Sequence, residues 1–211
     1  MNSNTHRLPA WNAGAVLRSA ANGLLALMFA LLVLVSVQTF TATGSVKSFA
    51  VLAANVLVMS LFLMRREAKS ETTAPVLWLL SYAGTFFPMM LRPADGGALE
   101  SIGYAIQLTG TVFLIVALLS LQRSFAIVPA NRGIQVEGAY RLVRHPLYAA
   151  ELFLLLGVVL ANPSVLNAAI WLIECGLQLA RARAEERFLS ADPDYRAYTD
   201  RVRYRLVPGL F

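Results

Sequence analysis

Residues 147–180 read LYAAELFLLLGVVLANPSVLNAAIWLIECGLQLA, two apolar arms on either side of a polar break. The arms are Leu147–Ala161 and Val165–Ala180, and the break is the turn-forming triplet Asn162-Pro163-Ser164. A bilayer core takes about 20 helical residues, so the whole stretch is too long for one crossing. It therefore predicts a helical hairpin. Each arm is about 22 Å long as a helix, so we expect it to tilt or to cross only part of the bilayer.

Four further apolar runs precede the hairpin, and each is close to the length of a membrane-spanning helix. They are Ala20–Phe40, Phe49–Met64, Pro75–Leu91 and Ile102–Leu121. The first run is too long for a signal-peptide core, so we interpret it as a retained anchor. The chain is accordingly predicted to be an all-α integral membrane protein. Four transmembrane helices are followed by the C-terminal hairpin and a cytoplasmic interfacial helix.

The composition agrees with this architecture. Of the 211 residues, 57% are hydrophobic and 14% are charged, compared with roughly 45–50% and about 25% in soluble chains. These proportions exclude a disordered chain and a soluble nucleotide-binding domain. The single cysteine, Cys175, excludes an internal disulfide.

The basic residues are distributed asymmetrically between the loops. With a cytoplasmic N-terminus, all 18 Lys and Arg residues except Lys47 and Arg92 fall on the cytoplasmic side. This bias predicts that both termini are cytoplasmic and that the number of spans is even. Since the basic residues lie in short loops without interleaved aromatic residues, the net charge of +6 does not indicate nucleic-acid binding.

The densest group of polar residues lies immediately before the hairpin. Pro146 suits the first position of a helix, which makes His145 the N-cap and places Arg144 just before it. The free backbone N–H groups, the helix dipole and the Arg-His pair then converge on one anion-binding site. Tyr148, in the first turn, can bind the same ligand. Alternatively, Arg141 and Arg144 anchor phospholipid headgroups.

A second polar group follows the hairpin. Spacing predicts the ion pairs Arg181–Glu185 and Arg183–Glu186 on a helix that extends into the cytoplasm. On their own they describe a solvated helix end. Because a hairpin returns the chain to the side that it left, Glu185 and Glu186 are also expected near Arg144-His145. Such a pocket could hold a zwitterion that carries hydroxyl groups.

Two carboxylates fall inside the apolar arms. We expect Glu151, about one turn from the helix start, to lie solvated at the interface. Glu174 lies deeper, beside Gln178, and is equally consistent with a structural and a functional role.

The C-terminal tail begins with a second cap-and-proline signal, Asp192-Pro193. Tyr195, Tyr198 and Val202 follow at helical spacing and are expected to form one face across the pocket. Taken alone, this pattern describes an amphipathic interfacial helix.

From Ser124 to Phe211 the sequence resembles the isoprenylcysteine carboxyl methyltransferase family of integral membrane enzymes, in its bacterial form. The first four apolar runs match only as hydrophobic scaffold. The resemblance rests on an ordered set of motifs: Ser124-Phe125, Pro129–Gly133, Val136–Arg141, Val143–Tyr148, Asn162-Pro163, Glu185-Glu186, Tyr195 with Tyr198, Arg201-Val202 and Arg205–Pro208.

This resemblance implies methyl transfer from S-adenosylmethionine at the membrane surface. Residues 1–121 would be the transmembrane scaffold, and residues 122–211, with the hairpin 147–180, would be the catalytic, cofactor-binding region. The implied cofactor-binding residues are Tyr140, His145, Tyr148, Glu185 and Glu186. The implied catalytic residues are Arg144, Glu186 and Arg205.

The implied acceptor is lipophilic and enters from the membrane, most directly as the carboxylate of an isoprenylcysteine-like or prenylated substrate. The location implied is the bacterial inner membrane. No metal is expected, because His6 and His145 are far apart and one cysteine cannot complete a site.

Other functions remain open at this point. Related methyltransferases act on small thiols or lipid amines, which need deprotonation, and Glu174 or Tyr140 would then be the base. Sterol reductases share part of the fold but use NADPH and have more helices. A non-enzymatic module for binding or transporting anionic lipids would need only the Arg-His site. A structural subunit would use its polar C-terminal half to dock a partner.

Overall fold

The computed structural model describes residues 13–92 and 98–210, so predictions that involve His6, Arg7 and Pro93 lie outside the described residues. The helices are α1 Ala13–Thr43, α2 Val46–Met64, α3 Pro75–Phe86, α4 Glu100–Leu121, α5 Pro146–Ala161, α6 Val165–Leu189 and α7 Pro193–Arg201. Short 3-10 turns cover Phe87–Met90, Gln122–Ser124 and Gly138–Arg141, and two short strands are β1 Ser70–Glu71 and β2 Ala130–Asn131.

The prediction of an all-α integral membrane fold is confirmed. Among the described residues, four helices are long and apolar enough to cross a membrane: Ser19–Thr43 of α1, all of α2, Glu100–Ser124 and Val165–Leu189. The helix formed by the third predicted apolar run is shorter than expected. It begins at Pro75, as predicted, but α3 ends at Phe86, and the chain continues as a 3-10 turn that contains Pro88. A proline at this position has no N–H for the helical hydrogen-bond pattern.

The predicted hairpin is present, with its turn at residues 162–164. The Ser164 hydroxyl accepts a hydrogen bond from the Asn167 backbone N–H at 3.0 Å and caps α6. The buried Asn167 amide donates to the carbonyls of Asn162, at 2.8 Å, and Arg92, at 2.9 Å. The turn is therefore tied to the chain that follows α3. As predicted, the helix of the second arm extends beyond the apolar stretch, and α6 continues to Leu189 without a break.

Helices α4 and α5 pack most extensively, and glycines let their backbones approach. A Cβ on Gly157 would lie 2.6 Å from the backbone nitrogen of Gln107. One on Gly103 would lie 2.5 Å from the backbone nitrogen of Ala161. The Gln107 side chain also donates to the Gly157 carbonyl at 3.1 Å. Small residues at such crossings are typical of helix association in membranes.

The connecting segment, residues 122–145, is fixed to the helices from two sides. Its Phe125 and Ile127 are buried in an apolar core with residues of α1, α2 and α4. Its strand β2 pairs antiparallel with β1, so the connection between α2 and α3 lies beside it. The segment is thus held beside the start of α5.

The α4–α5 crossing predicts a stability effect at Gly157. Replacing Gly157 with Ala is expected to destabilise the protein by about 2 kcal/mol, because the new methyl group would overlap backbone atoms of α4. The change should appear as a Tm lower by several degrees in detergent. Gly176→Ala is the matched control: a Cβ there has nothing within 4 Å, so its Tm should be unchanged or slightly higher. Equal Tm values for both variants would contradict the close crossing.

Candidate functional site

A polar cleft opens where the connecting segment meets the ends of α5, α6 and α7. It consists of two adjoining lobes, each lined by charged and aromatic side chains. Residues that line both lobes are Leu121, Ser124, Ala130, Tyr140, Arg144, His145 and Glu185. The first lobe also touches Tyr195 and Tyr198, and the second touches Leu147 and Tyr148.

Glu186 is the centre of the charged groups beside this cleft. Its Oε1 lies 3.0 Å from Arg144 Nη1 and 3.3 Å from His145 Nε2. Its Oε2 accepts a hydrogen bond from Arg205 Nε at 2.8 Å. The Glu186 side chain is only 12% exposed. One carboxylate thus joins the connecting segment, the end of α6 and the C-terminal tail.

Glu185 has a different position from Glu186, as expected for adjacent helical residues. Its Oε2 accepts a hydrogen bond from the Tyr148 hydroxyl at 2.8 Å and lies 3.8 Å from His145 Nδ1. The rings of His145 and Tyr148 stack, with centroids 5.4 Å apart. The Glu185 side chain is 31% exposed and lines both lobes of the cleft. Of the two glutamates, Glu185 therefore faces the cleft.

The start of α5 is held by the C-terminal tail. His145 is the N-cap residue and Pro146 begins the helix, as predicted, but the His145 ring makes no cap hydrogen bond. Instead, its backbone N–H donates to the Arg205 carbonyl at 2.8 Å. Arg144 donates from its backbone to the Tyr204 carbonyl at 2.9 Å and from Nη2 to the Arg203 carbonyl at 2.9 Å. The tail fixes the backbone that presents Arg144 and His145.

Helix α7 forms one wall of the cleft through its predicted aromatic face. Tyr195, Tyr198 and Val202 are buried together with Tyr140, and the Tyr198 hydroxyl donates to the Tyr140 carbonyl at 2.7 Å. Burial raises the pKa of the Tyr140, Tyr195 and Tyr198 hydroxyls. These phenols therefore keep their protons at neutral pH and can donate hydrogen bonds.

The attachment of α7 to the connecting segment was not predicted. Asp192 caps α7 by accepting from the Asp194 backbone N–H at 2.9 Å. Its other oxygen accepts from the Asn131 amide at 2.6 Å. This hydrogen bond from Asn131 lowers the pKa of Asp192. The sequence contains the signal for the cap, but no local signal for Asn131, because the two residues are far apart along the chain.

Three buried polar atoms on residues that line the cleft have no hydrogen-bond partner among the described residues. They are the Tyr195 hydroxyl, Arg144 Nε and Arg132 Nε. Buried polar groups are nearly always paired in folded proteins. These atoms are therefore available for the polar groups of a ligand.

A buried polar network lies between α5 and α6, further into the membrane region. The Gln178 amide nitrogen is 2.7 Å from Glu174 Oε1, 2.8 Å from Glu151 Oε2 and 3.1 Å from the Gly84 carbonyl. The expectation of a solvated Glu151 is wrong, because its carboxylate turns toward α6 and is half-buried there. Glu174 is fully buried.

The predicted pair Arg181–Glu185 is also wrong. Arg181 Nη1 donates to Gln178 Oε1 at 3.0 Å, and its guanidinium lies 4.8 Å from the centre of the Tyr148 ring. Arg181 points inward because it shares the face of Gln178 and Glu174, at helical spacings of three and seven residues. That spacing is the sequence signal that could have shown its direction.

The fold and the cleft define an integral membrane protein with a polar cleft at the open end of a helical hairpin. Residues 73–202, more than half of the chain, match the model of a family described as a protein of unknown function, DUF1295. The chain belongs to this family. The matched range contains α3 to α7 and ends before Arg205. The sequence matches no curated protein.

The different surroundings of the two glutamates predict different stability effects. Glu186→Gln is expected to destabilise the protein by about 3 kcal/mol, because two guanidinium groups lose their charged partner in a largely buried place. Glu185→Gln should cost about 1 kcal/mol, because it weakens one partly exposed hydrogen bond. Thermal unfolding in detergent measures both. Equal losses would contradict the central position of Glu186.

Proposed function

We propose that the protein is a membrane methyltransferase that uses S-adenosylmethionine and acts on a lipophilic acceptor. One observation carries this proposal: the cleft combines a carboxylate, two stacked rings and unpaired buried donors at the end of a membrane hairpin. The carboxylate is Glu185, the rings are His145 and Tyr148, and the donors include Tyr195 Oη and Arg144 Nε.

The residues present fit the polar groups of this cofactor. Glu185 can accept from an amine or a ribose hydroxyl, and the Tyr195 hydroxyl and Arg144 Nε can donate to a carboxylate or a hydroxyl oxygen. Tyr140, His145 and Tyr148 would supply flat surfaces beside an adenine or ribose ring. When bound, S-adenosylmethionine supplies a methyl group carried on positively charged sulfur.

Arg144, Glu186 and Arg205 then act mainly by fixing positions. The Arg144 guanidinium contacts the Glu186 carboxylate through Nη1 and the Arg203 carbonyl through Nη2. These two contacts fix its direction. Arg205 holds Glu186 from the other side. We assign to Arg144 the orientation of the acceptor. Correct placement and exclusion of water supply the catalysis in such a site.

A lipophilic acceptor is supported by an apolar groove next to the cleft. The groove has about 1310 Å³ of empty space and is lined from α4, α5 and the tail. The segment 138–146 lies between the two cavities: its Leu142 and Val143 line the groove, whereas Arg144 and His145 line the cleft. An acyl or isoprenoid chain fits the groove, and we place this face on the cytoplasmic side of the bacterial inner membrane.

A carboxylate acceptor, such as that of an isoprenylcysteine-like substrate, is favoured over a thiol or an amine. A carboxylate is already ionised at neutral pH and needs no base. Tyr140 is a poor base because burial raises its pKa, and Glu174 is hydrogen-bonded within the buried network instead of lining the cleft.

The anionic-lipid module is less well supported at this cleft. Such a module would present Arg144 and His145 to its ligand as an open anion site. Here Glu186 already provides an anionic partner for both residues and for Arg205.

The proposal predicts a specific role for Glu185 in binding. By isothermal titration calorimetry in detergent, wild-type protein should bind S-adenosylmethionine and S-adenosylhomocysteine, and Glu185→Gln should weaken both at least about tenfold, since it removes a charge-assisted hydrogen bond. Glu137→Gln is the matched control, because Glu137 is exposed on the same segment and outside the cleft.

Control protein should bind like wild type. Folded wild-type protein that binds neither compound would overturn the cofactor assignment. Equal weakening by Glu185→Gln and Glu137→Gln would remove Glu185 from the site.

A further inference from the structure

We propose that the protein has a second anion site, a basic pocket that binds the phosphate of an anionic phospholipid. The pocket lies beside the start of the α1 span and the end of α2, and it meets the cleft at Arg132, which lines both. Its cationic residues are Arg65, Arg66, Lys69 and Arg132. The inference does not depend on the methyltransferase proposal.

The pocket is a large open space beside the helix ends. It has about 1660 Å³ of empty volume. One wall is formed by the first turns of the α1 span around Asn22, and another by the connection between α2 and α3. Arg65 Nη2 donates to Asn22 Oδ1 at 2.7 Å, and the Arg65 guanidinium lies 4.2 Å from the centre of the Phe62 ring.

The positive charge of the pocket is only partly balanced. Its four basic residues share the lining with two acidic ones, Glu67 and Glu71. The charge of Lys69 also contributes to the lowered pKa of Asp192. Arg132 Nη2 is 3.9 Å from Glu71 Oε2, a long distance for an ion pair. Burial and the neighbouring charge of Arg132 lower the pKa of Arg65, although Glu71 raises it. The guanidinium groups of Arg65 and Arg132 thus lie close enough to repel each other, and the Glu71 carboxylate interacts with both.

Arg132 has a buried hydrogen-bond donor that lacks an acceptor. Its side chain is 7% exposed, and Nη1 donates to the Arg66 carbonyl. Its buried Nε has no hydrogen-bond partner among the described residues. A buried guanidinium nitrogen without an acceptor is costly, and a phosphate oxygen would satisfy it.

The N-terminal part of the chain cannot supply the missing negative charge. Residues 1–66 contain no Asp or Glu. The counter-ion of the pocket therefore has to come from outside this part of the protein.

The position of the pocket favours a lipid as the source of that anion. Phe62, Leu63 and Ala26 line its apolar side. Leu63 and Leu27 are largely exposed on the neighbouring helix surfaces, where acyl chains would lie. A basic pocket at the ends of transmembrane helices is a typical site for an anionic headgroup. A ligand with a phosphate and acyl chains matches both the basic and the apolar side of the pocket.

The proposal is tested by titrating delipidated protein, in an uncharged detergent, with short-chain lipids. Dihexanoylphosphatidylglycerol should bind saturably and at least about tenfold more tightly than dihexanoylphosphatidylcholine or inorganic phosphate. Arg66→Gln should weaken this binding about tenfold, and Arg65→Gln should do the same. Arg187→Gln, with the same loss of charge at an exposed site on α6, should leave it within about twofold.

Three results would overturn the proposal. Equal weakening by Arg66→Gln and Arg187→Gln would show general attraction by the net charge. Inorganic phosphate binding as tightly as the lipid would identify a soluble phosphate ester as the ligand. Absence of any saturable binding to folded wild-type protein would remove the site.

Discussion

The cleft depends on the contacts that the Glu186 carboxylate makes with basic side chains. This carboxylate pairs with Arg144 and Arg205 and contacts His145. Arg144 and His145 precede α5, and Arg205 lies in the C-terminal tail. Each of these side chains loses hydration when it is buried against α6. An unpaired charge would be expensive there. The pairing with Glu186 therefore fixes the end of α6, the start of α5 and the tail relative to one another.

The buried network between α5 and α6 supports the same end of the hairpin. Gln178 connects Glu151 and Glu174 and accepts from Arg181, whose guanidinium lies against the ring of Tyr148. Polar groups in lipid have to be satisfied within the protein. Because of this requirement, Arg181 points inward and its guanidinium packs against the Tyr148 ring. The Tyr148 hydroxyl donates a hydrogen bond to Glu185.

Features encoded by neighbouring residues could be predicted from the sequence. The hairpin turn at Asn162-Pro163-Ser164 and the helix starts at Pro146 and Pro193 follow from local turn and capping chemistry. The approach of Glu185 and Glu186 to Arg144 and His145 followed from the hairpin alone. The cofactor and its acceptor stay predictions that rest on the family resemblance, with which the chemistry of these residues is compatible.

Features that depend on packing between distant segments could not be predicted. The packing of Arg181 against α3 depends on Gly84, where a Cβ would lie 2.5 Å from Arg181 Cδ. The role of residues 203–205 depends on backbone hydrogen bonds to Arg144 and His145 across the tail. The shortening of the third run, by contrast, has a local cause, because Pro88 lies in the 3-10 turn that follows α3.

The central claim is that the cleft beside Glu186 holds S-adenosylmethionine. Ultraviolet cross-linking of the purified protein to S-adenosylmethionine with a labelled methyl group, followed by peptide mapping, tests it most directly. We expect label in peptides that cover residues 138–148 and 185–198, and we expect excess S-adenosylhomocysteine to suppress it. Label that the competitor does not suppress, or label confined to other peptides, would contradict the account.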